Sequence, residues 1–299
     1  MPAELERIQT YDIRLLVLDA DGTTLDPAGR VSPATRRAVR AAQRQGVRVV
    51  LNTGRLHSSA ARVAREAGLD EPVLSCNGAA ASSLDRTPRV WWRDALDRED
   101  LDLLLKVLDD FGCSFELYVG DHIYTSRRSF SLRAFWGWTK PQVRHGWRVL
   151  CRIWRDLQQV RIQPFRTWPG TDDELPEKVM VSHLRQSSLE EAAKALAQLL
   201  PGRLEMARSG ENYLEVTRAG VSKGVGAARL AEMLGLSRDQ VMAIGDQGND
   251  LSMLRWAGLG VAMGHAPEYV KAAADAVTGD NGREEGVARA IERFILEPR

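Results

Sequence analysis

Three cysteines in 299 residues, Cys76, Cys113 and Cys151, are too few and too far apart for a disulfide framework, and their odd number leaves one over. Only five histidines accompany them, none at a metal-ligand spacing from a cysteine, which argues against a structural zinc site. A reducing cytoplasm is the compartment this composition predicts. Nowhere does an apolar run approach the roughly 18 to 20 residues that a bilayer-crossing helix needs. The first ten residues carry Glu4 and Glu6 where an export signal has a basic segment and an apolar core, so no export is expected. An excess of one charge is missing too. With 41 basic against 40 acidic side chains, no global attraction pulls the chain to nucleic acid or to an anionic membrane. Internal repeats and low-complexity linkers are also absent. What is present is a chain 44% apolar, long enough for one large domain or two smaller ones.

Short apolar runs alternating with helical stretches mark both flanks. Leu15-Leu16-Val17-Leu18 reads as a buried strand ending abruptly at Asp19-Ala20-Asp21-Gly22. Ser32-Pro33 opens a helix that should run to about Gln45 and stop at Gly46, because a capping hydroxyl followed by proline is a helix start. Val47 to Leu51 is a second strand, ending in Asn52-Thr53-Gly54-Arg55. A helix from about Ser58 to Ala67 precedes a third strand, Pro72 to Ser75, which leads into Cys76-Asn77-Gly78. The pattern resumes at Ser222-Lys223-Gly224, a helix start, and at Val241 to Gly245, a strand ending in Asp246. Such alternation predicts an α/β fold, a Rossmann-like parallel sheet with right-handed crossovers.

Near Leu84 the texture changes to strands of alternating polarity, such as Ser114 to Tyr118 and Ile123 to Thr125 about a Gly120-Asp121 turn. Residues 84–216 are expected to form an inserted α+β cap, with 1–83 and 217–299 making the discontinuous core and short hinges near Ser82 to Arg86 and Val216 to Val221. Seven of the eight tryptophans fall between Trp91 and Trp168, so the insert differs in surface chemistry from its flanks. The stretch Phe130 to Trp168 reads either as an aromatic and cationic wall for a sugar phosphate or, preferably, as tryptophans packed on a sheet beside solvated arginines.

Asp19 and Asp21 are the residues that carry chemistry. Positions i and i+2 of a strand share a side, and two carboxylates held close repel unless a cation or a shared proton relieves them. Taken alone, the pair reads equally as an oxygen-ligand site for Mg2+ or as a solvated turn. In an open parallel sheet the reactive crevice lies beyond the carboxyl ends of the strands, and Asp19, Asp21, Thr53 and Asp246 all fall at such ends. Lys223 adds a cation. Together these make a phosphoryl-transfer inventory, in which positioning an anion and offsetting its charge is most of the work.

Asp19-Ala20-Asp21-Gly22-Thr23-Thr24-Leu25, Asn52-Thr53-Gly54-Arg55, Lys223 and Gly245-Asp246-Gln247-Gly248-Asn249-Asp250 resemble, in order and spacing, the four motifs of the haloacid dehalogenase superfamily, specifically its Cof-type or class IIB phosphatases. The resemblance covers about residues 12–83 and 217–285; in the insert only position and element order are similar. It implies that Asp19 is the nucleophile forming an aspartyl-phosphate and that Asp21 is the acid and then the base. Mg2+ is implied at Asp19, Asp21 (through its carbonyl) and Asp246, with Asp250 in support. Thr53, Gly54, Arg55, Lys223 and Asn249 are implied to hold the phosphate. The expected substrate is a small phosphate monoester, a sugar or polyol phosphate, with no nucleic acid or membrane partner, for a monomer or homodimer. A phosphomutase, or a non-catalytic phosphometabolite-binding regulator, is the alternative. His265 stands where relatives carry asparagine, and both it and His57 read as solvated loop histidines in preference to substrate contacts.

Overall fold

The structure is a computed structural model that describes residues 11–26, 28–125, 160–162, 168–210, 212–279 and 285–297. Its centre is strand β1 (Leu15–Leu18), whose four residues are all fully buried. With β2 (Arg48–Leu51) on one side and β12 (Val241–Gly245) on the other, β1 sits inside a five-stranded parallel sheet of order β14-β13-β12-β1-β2. Here β13 is Leu259–Ala262 and β14 is Ala276–Val277. Leu15 lies opposite Arg48 and Val241, and Leu18 opposite Leu51 and Ile244, so the three strands end level.

Both sheet faces are covered, which is why these strands read as continuous apolar runs rather than as alternations. Leu16, Leu18, Val49, Leu51, Met242 and Ile244 face helices α1 (Pro33–Arg44), α2 (His57–Ala67) and α8 (Gly286–Ile291). Leu15, Val17, Val50, Val241 and Ala243 face α5 (Lys223–Met233) and α6 (Leu251–Trp256). Each such side chain contributes about 1.5–3 kcal/mol by leaving water. The start of α1 follows the expectation: Ser32 accepts from the Thr35 amide at 3.1 Å and Pro33 is the first helical residue.

The third expected strand, β3 (Val73–Ser75), is bonded to the parallel sheet by an isolated bridge between Asn52 and Leu74 and is not one of its five paired strands among the described residues. It then reverses into an antiparallel sheet with β4 (Ala80–Ser82) and β5 (Val90–Arg93). The reversal occurs at Cys76 and Asn77, both in the left-handed region at φ 49° and 61°. Ser82 to Arg86, expected as a hinge, ends β4 and begins the β4–β5 connection, and β5 stays paired with β4.

Residues 114–218 supply a second large sheet of order β10-β11-β9-β6-β7-β8. Its strands are β6 (Ser114–Val119), β7 (His122–Thr125), β8 (Val160–Ile162), β9 (Lys178–Ser182), β10 (Leu204–Gly210) and β11 (Tyr213–Arg218). On one face Phe115, Leu117, Val179, Val181, Leu214 and Val216 pack against α3 (Arg98–Asp110) and α4 (Gln186–Leu199). By the period of two, the other face carries Glu116, Tyr118, Lys178 and Glu215. Trp168 is buried against the apolar side and meets Tyr124 edge-on at 4.9 Å, as the packing reading expected. The rest of the tryptophan-rich stretch from Phe130 lies outside the described residues, apart from 160–162.

Candidate active site

Asp19 follows β1 directly, and its amide donates to the Ile244 carbonyl at 3.0 Å. Its side chain is almost wholly buried. Lys223 reaches the same point from the first turn of α5, whose N-cap Ser222 accepts from Val225 N. The Lys223 Nζ donates to Asp19 Oδ1 and to Asp250 Oδ1, both at 2.5 Å. The other oxygen of Asp250 accepts the amides of Asp246 and Gln247 at 2.9 Å each. Asp250 therefore ties Lys223 to the loop after β12. Asp246 accepts from Thr23 Oγ1 at 3.0 Å and from Gln247 Nε2 at 3.1 Å.

The carboxylates of Asp19, Asp246 and Asp250 bring oxygens within 4.8 Å of one another, all in buried side chains. One ammonium cannot balance them. Burial foremost, with Asp250 and Asp246 adding to it and Lys223 opposing, pushes the Asp19 carboxyl well above the usual carboxylate range. Burial likewise raises Asp250 despite Lys223. Burial would lower Lys223, but the two carboxylates outweigh it and hold the ammonium above an ordinary lysine. An all-oxygen donor set short of positive charge fits a hard divalent cation such as Mg2+. Gly22 is fitted to this cluster: its φ is +84°, and a Cβ there would fall on the Asp246 carboxylate.

Asp21 stands outside the cluster. Its side chain is 62% exposed and forms a bidentate pair with Arg55, whose Nε lies 2.6 Å from Asp21 Oδ2. The same guanidinium donates to Ser59 Oγ at 3.1 Å. Arg55, expected on a phosphate, is thus engaged by the expected acid. Thr53 is buried, with its amide on the Leu74 carbonyl at 2.9 Å and its hydroxyl 3.3 Å from the Arg55 amide. The Gly54 carbonyl accepts from Lys178 Nζ. Asn249 donates through Nδ2 to Asn77 Oδ1 at 3.4 Å. His265 is not a solvated loop residue: its Nε2 lies 3.5 Å from Asp246 Oδ2. His57 begins α2, half-buried, and burial lowers its pKa despite the opposing charge of Asp121.

Asn77, Lys178 and Glu215 also converge on this site without standing out in the sequence. Asn77 follows a strand tip, as Asp19 and Thr53 do, and that position was the available signal. Lys178 and Glu215 gave none, because charged residues on alternating strands ordinarily face water.

The family profile of the haloacid dehalogenase-like hydrolases matches residues 16–291. The pyridoxal phosphate phosphatase YbhA of Escherichia coli is 30% identical over 94% of this chain and 97% of its own. The 5-amino-6-(5-phospho-D-ribitylamino)uracil phosphatase YcsE of Bacillus subtilis is 28% identical over 96% and 98%. A solved haloacid dehalogenase-like hydrolase from B. subtilis superimposes with a TM-score of 0.80, at 27% identity, covering 95% of this chain and all of that one.

Proposed function

The chain belongs to the haloacid dehalogenase-like hydrolase family, and we propose that it is a Mg2+-dependent phosphatase of small phosphate monoesters, sugar or polyol phosphates foremost. The observation that carries this reading is the meeting of Asp19, Asp246, Asp250 and Lys223 at level strand tips. Both relatives act, by their names, on phosphate esters of small molecules, one of them a ribityl phosphate.

Asp19 and Asp246, with the backbone carbonyl of Asp21, would hold the ion, and Asp250, its oxygens already engaged, supports them. Bound there, Mg2+ supplies charge neutralisation on the phosphoryl oxygens. Asp19 attacks phosphorus through a carboxylate oxygen, and the bond from phosphorus to the ester oxygen breaks. Asp21 gives its proton to that leaving oxygen, then takes one from the water that attacks the aspartyl-phosphate, which frees inorganic phosphate and Asp19. For the first of these steps Asp21 must leave Arg55; a substrate phosphate that draws the guanidinium away releases it. Thr53, Lys223 and Asn249 hold phosphate oxygens. The insert that follows β5, from α3 to β11, serves as the cap that excludes water and selects the leaving group.

The test is a panel of phosphate esters with Mg2+, run on wild-type protein and on Asp19→Asn. Wild type is expected to release phosphate, and Asp19→Asn to lose turnover by at least about a thousandfold. Phosphate release from no ester, or equal release by both proteins, would sink the reading. Transfer of the phosphoryl group to a second sugar hydroxyl instead of water would mark a phosphomutase.

A further inference from the structure

The second sheet buries an ion pair where it meets the core. Lys178 Nζ and Glu215 Oε2 are 3.2 Å apart, with 1% and 4% of their side chains exposed. Lys178 also donates to the Gly54 carbonyl, and its ammonium stands 4.3 Å above the Tyr118 ring. Glu215 accepts from Asn77 Nδ2. That bond fixes which way the Asn77 amide points, so its Oδ1 faces Asn249 Nδ2, 3.4 Å away. The backbone N–H of Asn77 donates to the Thr53 carbonyl at 3.0 Å. One connected set of hydrogen bonds thus runs from strands β9 and β11 to the loop of Thr53 and to Asn249.

Gly54 is where this set lands. A Cβ on Gly54 would lie 3.0 Å from Lys178 Nζ and 3.1 Å from both Asn77 Oδ1 and Glu215 Oε2. Buried ion pairs contribute little net stability, because desolvation offsets the attraction, but they admit few geometries. Both residues belong to the second sheet and move with it. A sheet that slid over the core would therefore break the bond of Lys178 to the Gly54 carbonyl and that of Glu215 to Asn77 in a dry interface, and those two bonds act as the registration device.

We propose that Lys178 and Glu215, acting through Asn77, are positioning residues for phosphoryl transfer: they seat the cap on Gly54 and hold Thr53 and Asn249 in register for the substrate phosphate. The inference rests on the phosphatase reading. It assigns to two cap residues a role in chemistry, distinct from choosing the leaving group.

Two variants test it. Lys178→Met/Glu215→Leu replaces the ion pair with an apolar pair of similar size, and Gly54→Ala pushes a methyl into the cluster. Gly54 has no positive φ, so alanine suits its backbone. Each protein is assayed for melting temperature, for kcat and KM on the best ester of the panel, and for inorganic phosphate binding with Mg2+ by calorimetry. Both variants are expected to lose kcat and phosphate affinity by about tenfold or more, as misplaced phosphate-contacting groups do. The apolar pair is expected to keep its melting temperature. A folded variant of either kind that keeps kcat and phosphate affinity within about twofold of wild type overturns the inference. If the apolar pair does not fold, Gly54→Ala decides by the same two values. A wild type that binds phosphate but turns over no ester defeats the phosphatase reading, and the clamp is then judged on binding alone.

Discussion

Replacing Lys223 with methionine removes the ammonium bonded to Asp19 and Asp250 and leaves the carboxylates of Asp19, Asp246 and Asp250 facing one another. Methionine nearly fills the space, so the effect is electrostatic. Breaking a buried ion pair by removing one partner costs about 3–5 kcal/mol. At roughly 2–4 °C per kcal/mol for a chain of this size, the metal-free variant should melt roughly 10 °C below wild type. Mg2+ should return part of that loss, so the rise in melting temperature on adding Mg2+ should be larger in the variant than in wild type. The pH dependence has a definite sign. Asp19 and Asp250 already have raised pKa values in the fold, and without Lys223 they rise further. A raised carboxylate favours the fold when protonated, and that contribution is lost as pH rises through its folded pKa. The deficit of the variant should therefore shrink between pH 8 and pH 5. Differential scanning fluorimetry at both pH values, with and without Mg2+, measures all of this. A variant that melts within about 2 °C of wild type under every condition would refute the claim that Lys223 balances a buried acidic cluster.

Gly22→Ala should lose the Mg2+-induced rise in melting temperature, because its methyl would displace the Asp246 carboxylate, and the left-handed backbone there costs a further 1–2 kcal/mol, roughly; melting with and without Mg2+ checks this, and an unchanged rise refutes it. Burial by itself would raise Glu215, but Lys178, with hydrogen bonds from Ser209 and Asn77, leaves it below its ordinary 4.5. A depressed carboxylate stabilises the fold above the unfolded pKa and loses that contribution as pH falls through the folded value. In Lys178→Met the sign reverses, so the gap in melting temperature between wild type and variant should narrow from pH 7 toward pH 4; a constant gap counts against the pair.

The core was legible because its strands are buried on both faces and end together. Leu15 to Leu18 and Val241 to Gly245 announce themselves as uninterrupted apolar runs, and the polar residues that stop them are the ones the fold brings together. The β3 reversal was not legible, since it depends on left-handed backbone at Cys76 and Asn77, neither of them glycine, and on a β4 strand of only three small residues. Lys178 and Glu215 were hidden for a different reason. Alternation places them on the polar face of their strands, but their burial depends on partners 124 and 138 positions away at Gly54 and Asn77. Nothing local distinguishes them from solvated charges. Arg55 lay between these cases: its place in the loop was readable, but its partner Asp21, 34 residues earlier, was not.

The site divides its charges by origin. Every carboxylate of the acidic cluster, and the lysine that faces it, comes from segments on or beside the parallel sheet: Asp19 after β1, Lys223 at the head of α5, Asp246 and Asp250 after β12. Hydrogen bonds to Thr23, Gln247 and the amides of residues 246 and 247 tie that group to the core's own backbone. The clamp of Lys178 and Glu215 meets the core through a carbonyl, Gly54, and an amide side chain, Asn77, neither of which titrates. Movement or replacement of the cap therefore changes the geometry around the phosphate loop, while Lys223, the ammonium bonded to Asp19, stays on the core. The surface that meets a leaving group can then vary widely, provided one buried lysine continues to meet the Gly54 carbonyl and one buried glutamate the Asn77 side chain.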